Sequence, residues 1–463
     1  MICSCWLTGG SKRARGFVAS AICAVLLSAC GGGGSNVPGG ATRPTPAPSA
    51  RPTPTASGRP TPTPTPSPTP FPSPPAGKIS HVVIVIQENR SFDNLFQGYP
   101  GANTASSGYT SDGTLVKLQP VSLAAKYDMY HQFINALDDI NGGLMNGFDT
   151  EAGDCGPSCP PNPAYSYVPA SETQPYFSMA GRYVLADDFF PSDEDGSFVS
   201  HQYLIAAQAM QTYGIPANLP WGCDGDSTVL LLNAQTIPGT PTNQTTSSCF
   251  TGEPTLAGEI DQHPNLSWRF YSAPYADVGY AWNAFTSISQ VRNGPEWGTN
   301  IVTPSSQFLT DVAAGKLASV TWITPNLADS DHPNSGSTRG PQWVTSVVDA
   351  VGESSFWPTT AIFVLWDDWG GWYDHVPPAV LDYDGLGIRT PLIVISPYAF
   401  AGRVAHTQYE FGSILGFTED VFGLAHLNAS DARANPLTGG DVFDFSQQPR
   451  AFTPFLRRRP AAR

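Results

Sequence analysis

"HVVIVIQENRSFDNLF", residues 81–96, is the stretch that decides the fold and locates the chemistry. His81 to Ile86 is a short, uninterrupted, β-branched run, the pattern of a strand buried on both faces. Strands of that kind belong to parallel sheets. In open parallel sheets, ligands bind in the crevice beyond the carboxyl ends of the strands. The run stops at Glu88, Asn89 and Arg90, which places those side chains in the crevice. A polar turn that merely leaves the sheet would read the same way from this stretch alone.

A second stretch, "TTAIFVLWDDWGGWYDHVPP" at 359–378, repeats the grammar of an apolar strand ending in acids. Asp367 and Asp368 are adjacent, with no base between them. Neighbouring carboxylates at the mouth of a buried strand repel unless something positive lies between them. A divalent metal answers that need, since hard cations take oxygen ligands from carboxylates and amides. Gly370 and Gly371 permit close backbone approach, and Asp374 and His375 follow as further ligands or proton carriers.

Outward from these two strands, similar runs recur at 182–186, 318–324 and 391–396, with helix-like stretches at 201–213 and 341–354. Strands alternating with helices predict an α/β sandwich around a mostly parallel sheet. The span 214–317 is rich in Pro, Gly, Asn, Trp and Tyr and is expected to form a loop-rich cap or insertion over that sheet.

The first 77 residues are of another kind. Lys12, Arg13 and Arg15 precede the apolar "GFVASAICAVLLSA", the layout of a secretory signal over residues 1–29. The "LSAC" at 27–30 resembles the lipobox of bacterial lipoproteins, which implies lipidation at Cys30; an ordinary signal peptide cut nearby is the alternative. Lipidation would tether an otherwise soluble exported protein to the cell envelope, its membrane association resting on that lipid alone. Residues 30–77, with "RPTPTPTPSPTPFPSPPAG", have nothing to bury and are expected to act as an extended spacer.

The formal charge is −15, and loss of the signal's three basic residues takes it to about −18. That balance argues against a nucleic-acid partner, which wants a basic face, and none is expected. Beyond Cys30, four cysteines remain: Cys155, Cys159, Cys223 and Cys249. An even count in an exported chain favours two disulfides, and local closure favours Cys155–Cys159 with Cys223–Cys249 among the three connectivities. A metal site from the four is the lesser reading, because no histidine shares their spacing.

"DEDGSFVSHQYLIAAQ", 193–208, puts Ser197 ahead of a helix expected to begin near Ser200 or His201. Such a serine is either an N-cap or, beside a cation and orphan helix amides, a nucleophile toward phosphorus. Of eight histidines, His131 lies in "YDMYHQF", and His332 and His375 lie in polar, Gly/Pro-flanked loops. Either they are plain surface, or they stabilise phosphoryl oxygens and protonate a leaving group. His201, His263, His406 and His426 read as structural, and His81 as a strand start. "CGPSC" at 155–159 approaches the sulfatase motif but lacks its arginine, so a local disulfide is the better reading.

In order along the chain, "QENRSFDNLF", "NGGLMNGFD", "TWITPNLADSDHP", "DDWGGWYDHVPP" and "RTPLIVISPYA" resemble the bacterial phosphoesterase family of phospholipases C and acid phosphatases, over about residues 78–430. The resemblance implies an alkaline-phosphatase-like α/β/α sandwich. It implies divalent-metal-dependent hydrolysis of a phosphate ester or phospholipid, with Glu88, Asn89, Asp367 and Asp368 on the metal and a phosphoserine intermediate. Asp368 stands where many members have Glu. The family's nucleophile stretch, laid on "DGSFVSHQYL", puts Ser197 at the nucleophile with Ser200 as the fallback. Asp374 and His375 match the "DH" of the family's carboxylate motif, His131 and His332 match family histidines near the phosphate, and Arg90 is expected to brace the loop. Val199-Ser200, in place of the family's Pro-Asn, and Asp368 are the departures that would favour a catalytically inactive surface-binding protein of the same fold.

Overall fold

The computed structural model describes residues 77–456 apart from residue 152. The signal peptide, Cys30 and the spacer as far as residue 76 lie outside the described residues.

Eight strands build the central sheet: β1 (His81–Gln87), β2 (Val184–Ala186), β3 (Trp268–Tyr271), β4 (Ile301–Val302), β5 (Val320–Ile323), β6 (Thr360–Trp366), β7 (Leu392–Ile395) and β8 (Arg403–Ala405). Their order is β4-β3-β5-β1-β6-β7-β2-β8. β1 lies between β5 and β6, parallel to both. Only β7 runs against the rest, antiparallel to β6 and to β2. Every side chain from Val82 to Ile86 is at most 1% exposed, as the unbroken apolar run requires. Each such Val or Ile contributes roughly 1.5–3 kcal/mol on burial.

Helices cover both faces. Among them are α1 (Phe92–Phe96), α2 (Phe133–Ile140), α3 (Ala170–Ala180), α4 (Ser197–Ala206), α5 (Gln307–Ala313), α6 (Gly340–Gly352) and α7 (Phe411–Phe422). Successive strand side chains point to opposite faces. On β6, Phe363 packs edge-on against Phe417 of α7, whereas Trp366, three residues on, packs against Tyr176 of α3. α3, α6 and α5 pack in series on one side, and α4 packs on α7 on the other. The expected α/β/α sandwich is what the chain forms.

The cap expected over 214–317 needs correction. That span supplies two strands of the main sheet, β3 and β4, paired parallel to β5 and to each other. What remains apart from the sheet includes an antiparallel pair, Thr228–Asn233 with Thr240–Ser247, extended by Thr212–Tyr213. The disulfides pair as expected, Cys155 with Cys159 and Cys223 with Cys249. Among the described residues no helix is long and apolar enough to cross a membrane.

Candidate active site and metal cradle

β1 and β6 run in parallel register, with Gln87 opposite Trp366. The residues that follow, Glu88 and Asp367, therefore emerge side by side at the carboxyl end of the sheet. Asn89 adopts a left-handed backbone, φ 58°, a conformation Asn tolerates better than most residues. Its N–H donates to Asp367 Oδ1 at 2.8 Å. Gly370, φ 63°, closes the other loop over it, and a Cβ there would lie 2.2 Å from the Asn89 carbonyl oxygen. Arg90, fully buried, donates to the carbonyls of Asp331 and Leu123 and braces the loop.

α4 starts at Ser197, earlier than expected, with Gly196 in the N-cap position. A Cβ at Gly196 would meet the His131 carbonyl oxygen at 2.6 Å, so the helix start is pressed against the His131 segment. Ser197 is thus the first helical residue and not the cap. Its Oγ donates to Asp368 Oδ2 at 3.1 Å, and Asn89 Nδ2 lies 3.5 Å away. Ser197 is 7% exposed, while Glu88, Asn89, Asp367 and Asp368 are at 0%, so the hydroxyl sits at the mouth of the cluster. Ser200, the alternative serine, is fully buried and donates to Asp193 Oδ1 at 3.0 Å.

One turn along α4, on the same face, His201 holds its Nε2 3.2 Å from Glu88 Oε1 and 3.4 Å from Asp367 Oδ2. It belongs to the site, contrary to its reading as a structural residue. The spacing of four from Ser197 was the signal that could have found it.

Three oxygens of this cluster, Glu88 Oε2, Asn89 Oδ1 and Asp367 Oδ2, accept no hydrogen bond. Leaving buried oxygens unpaired is costly. Burial, then Asp367 and Asp368, push Glu88 well above the usual carboxylate range, and burial with Asp367 does the same to Asp368. Burial also works against Asp367, but His201 outweighs it and holds that carboxyl below its ordinary value. A donor set of carboxylate and amide oxygens, buried and short of partners, fits a divalent cation.

At the rim, His131 Nδ1 donates to the Met129 carbonyl at 2.6 Å, and its Nε2 lies 2.7 Å from Asn89 Nδ2. Burial opposes its charge, yet Asp368 and Asp128 raise its pKa to about 9. The His332 ring is 6.4 Å from that of His131 and stacks on Trp282. Asp128 lies 3.8 Å from His131 and 4.0 Å from His332.

Asp374 and His375 are placed elsewhere, in a network of their own. Asp374 accepts from Arg389 Nε at 3.1 Å and from the Asp93 N–H at 3.0 Å. His375 engages Asp93 through Nδ1 at 2.6 Å and Asn103 through Nε2 at 3.0 Å. Among the described residues, no hydrogen bond or ion pair joins this network to Ser197, Glu88, Asn89, Asp367 or Asp368.

Comparison with known proteins identifies the family of the chain. The profile of the Phosphoesterase family matches residues 79–425. Phospholipase C A of Mycobacterium tuberculosis (strain ATCC 25618 / H37Rv) is 27% identical over 437 residues, covering 82% of this chain and 79% of its own. Hemolytic phospholipase C of Pseudomonas aeruginosa is 24% identical over 416 residues, covering 79% of this chain and 56% of its own. Non-specific phospholipase C1 of Arabidopsis thaliana is 23% identical over 398 residues, covering 75% and 68%. Among solved structures, a protein in the alkaline phosphatase superfamily from Vibrio parahaemolyticus is a distant likeness. Its TM-score is 0.34, at 12% identity over 76% of this chain and 68% of that one. The chain belongs to the phosphoesterase family and is a phosphoric ester hydrolase.

Proposed function

We propose that the chain hydrolyses phosphate esters with an apolar leaving group, of the phospholipid class, through Ser197 as nucleophile. The observation that carries the reading is the Ser197 hydroxyl, hydrogen-bonded to Asp368 at the mouth of a cradle of unpaired oxygens. Glu88, Asn89, Asp367 and Asp368 would hold a divalent cation. When bound, that cation supplies positive charge that lowers the serine pKa and polarises a phosphoryl oxygen. Asp368 accepts the hydroxyl hydrogen bond and orients Oγ toward phosphorus. Oγ attacks phosphorus in line as its proton passes to the Asp368 carboxylate, the P–O bond to the ester oxygen breaks, that oxygen departs as the protonated alcohol, and a phosphoseryl group remains until water displaces it. His131 and His332 stand at the rim to bind phosphoryl oxygens and to give the leaving oxygen its proton. His375 has both nitrogens engaged and is given no part in the chemistry.

The lipid preference rests on a groove of about 230 Å³ lined by Leu219, Trp221, Tyr275, Val278 and Tyr280. Leu219, Tyr275 and Val278 are 70%, 64% and 61% exposed, a concentration of apolar surface that suits acyl chains. The groove approaches the site through Trp221, which packs on Phe198, the residue next to Ser197 on α4. Export and a lipid anchor at Cys30 would bring the enzyme to its substrate surface.

The test is release of p-nitrophenol from its phosphate and from its phosphorylcholine ester, with and without chelator, by the wild type and Ser197→Ala. The reading expects chelator-sensitive turnover, favouring the phosphorylcholine ester, that drops at least about 10⁴-fold in the variant. Activity that survives Ser197→Ala moves the nucleophile elsewhere. Metal binding without turnover of either ester makes the protein the inactive binding form of this fold.

A further inference from the structure

A second group of ligand-type side chains lies at the end of α7, in neither the site above nor any network that serves it. Glu419 belongs to the last turns of α7, and His426 and Asp431 to the segment that follows. Their donor atoms all lie within 4.8 Å of one another. His426 Nδ1 is 3.3 Å from Glu419 Oε2 and 3.5 Å from Asp431 Oδ2. Glu419 is fully buried, and its Oε2, aimed at that nitrogen, accepts no hydrogen bond. A tetrahedral zinc, with ligands at about 2.0–2.2 Å, sets its donors about 3.3–3.6 Å apart. The two separations fall on that edge length.

The surroundings are built in the same sense. On the far side of the imidazole, Nε2 donates to Asp420 Oδ1 at 3.3 Å. This is the carboxylate–histidine arrangement that fixes the tautomer and turns the Nδ1 lone pair toward a metal. Glu419 Oε1 is anchored by the Leu427 N–H, and the Asp431 carboxylate by the N–H groups of Asn428 and Ala429. Three carboxylates surround one imidazole, and among the described residues no Lys or Arg forms an ion pair with any of them. The similarly composed Asp93–Asp374–His375 group differs, because Arg389 already supplies its positive charge.

We propose that Glu419, His426 and Asp431 form a second divalent-metal site, for a borderline cation of the zinc class. His426 Nδ1 and one oxygen of each carboxylate are the ligands, and the fourth position opens to solvent beside the 38%-exposed imidazole. The single imidazole with two carboxylates selects zinc over calcium or magnesium, which prefer sets of oxygens alone. Such a site clamps the segment 423–431 onto α7.

The full chain, stripped with chelator, is titrated with zinc by calorimetry, and bound metal is counted after gel filtration. The result expected is one equivalent fewer in His426→Ala than in the wild type. Glu88→Gln, which alters only the cradle at the sheet end, retains this equivalent whether or not that cradle takes zinc. Asp420→Asn touches no ligand atom, so it covers the case in which His426→Ala fails to fold. It is expected to keep the equivalent but to weaken it 10- to 100-fold. Equal zinc content in the wild type and a folded His426→Ala overturns the proposal, as does zinc affinity unchanged by Asp420→Asn. Calcium held at this site as tightly as zinc overturns the chemical class.

Discussion

Replacing Glu88 by glutamine should change protein stability in opposite directions with and without metal. In the cradle, the donor atoms of Glu88, His201 and Asp367 lie within 4.8 Å of one another. Two unit charges at that separation interact by about 3–4 kcal/mol at an effective dielectric of 20. Without metal, Glu88→Gln removes repulsion from Asp367 and from Asp368 and loses one attraction, to His201. One pair's worth of repulsion is the net relief, and proton uptake by Glu88 already relieves part of it. We expect Glu88→Gln to be about 1–3 kcal/mol more stable than the wild type in chelator. With a divalent metal at a hundredfold excess over its dissociation constant, binding stabilises the wild type by about 2.7 kcal/mol. The variant gains little of this, so its advantage should vanish or reverse. Urea unfolding of both proteins, in chelator and in metal, reads out all four values, and stabilisation at any second site cancels in the difference. If Glu88→Gln is less stable than the wild type in chelator and gains as much from metal, Glu88 is an ordinary hydrogen-bonded carboxylate and the cradle argument fails.

Gly370→Ala must hold a left-handed backbone, at roughly 1–2 kcal/mol, and displace the Asn89 carbonyl from a 2.2 Å clash, at about 1–3 kcal/mol more. Unfolding measurements should show that loss together with a fall in turnover; a neutral substitution would mean the two loops are not in contact. Arg389→Met leaves Asp93 and Asp374 buried without their cation, and about 3–5 kcal/mol of stability should go with it. Wild-type stability in that variant would show the network to be ornamental. Glu253, both of whose carboxylate oxygens lack partners, is pushed up to about 8 by burial, from 4.5. The folded state thus holds a proton that the unfolded chain releases, so this contribution is complete below pH 4.5 and is lost as pH rises toward 8. The slope should approach about 1.4 kcal/mol per pH unit. Glu253→Gln should flatten stability against pH over that window, and an unchanged slope would refute the assignment.

Much of the site was legible because two adjacent strands carry it. The apolar runs of β1 and β6 announced buried strands, and the polar residues that end them had to share one sheet end. That pointed to Glu88, Asn89, Asp367 and Asp368, and the resemblance to the phosphoesterase family joined them into one set. Ser197 was legible as a helix-start residue, though its role was not, since a cap and a nucleophile look alike until the cap proves to be Gly196. His201 was hidden because the helix was expected to begin near Ser200 or His201; only with the start at Ser197 does the spacing of four put His201 on the serine's face. Asp374 and His375 misled for the converse reason. Asp93 is distant in sequence and Arg389 lies 15 residues beyond Asp374, in a separate motif, so the charge that neutralises them was not visible beside them. The strands β3 and β4 were lost in an aromatic, proline-rich span, where strands of four and two residues are too short to show a periodicity.

The contact between Asn89 and Gly370 has a consequence for how such a protein can change. The carbonyl of one loop occupies the volume that a side chain on the other would need. The two loops that bear the four oxygen donors are therefore a single mechanical part, in which a substitution on either side must be answered on the other. α4 meets them as a separate wall, carrying Ser197 and His201 on a helix whose own hydrogen bonds do not depend on that interlock. New reactivity can be written on the helix face while the carboxylate floor stays fixed, which makes positions 197 and 201 the adjustable pair for selection or design.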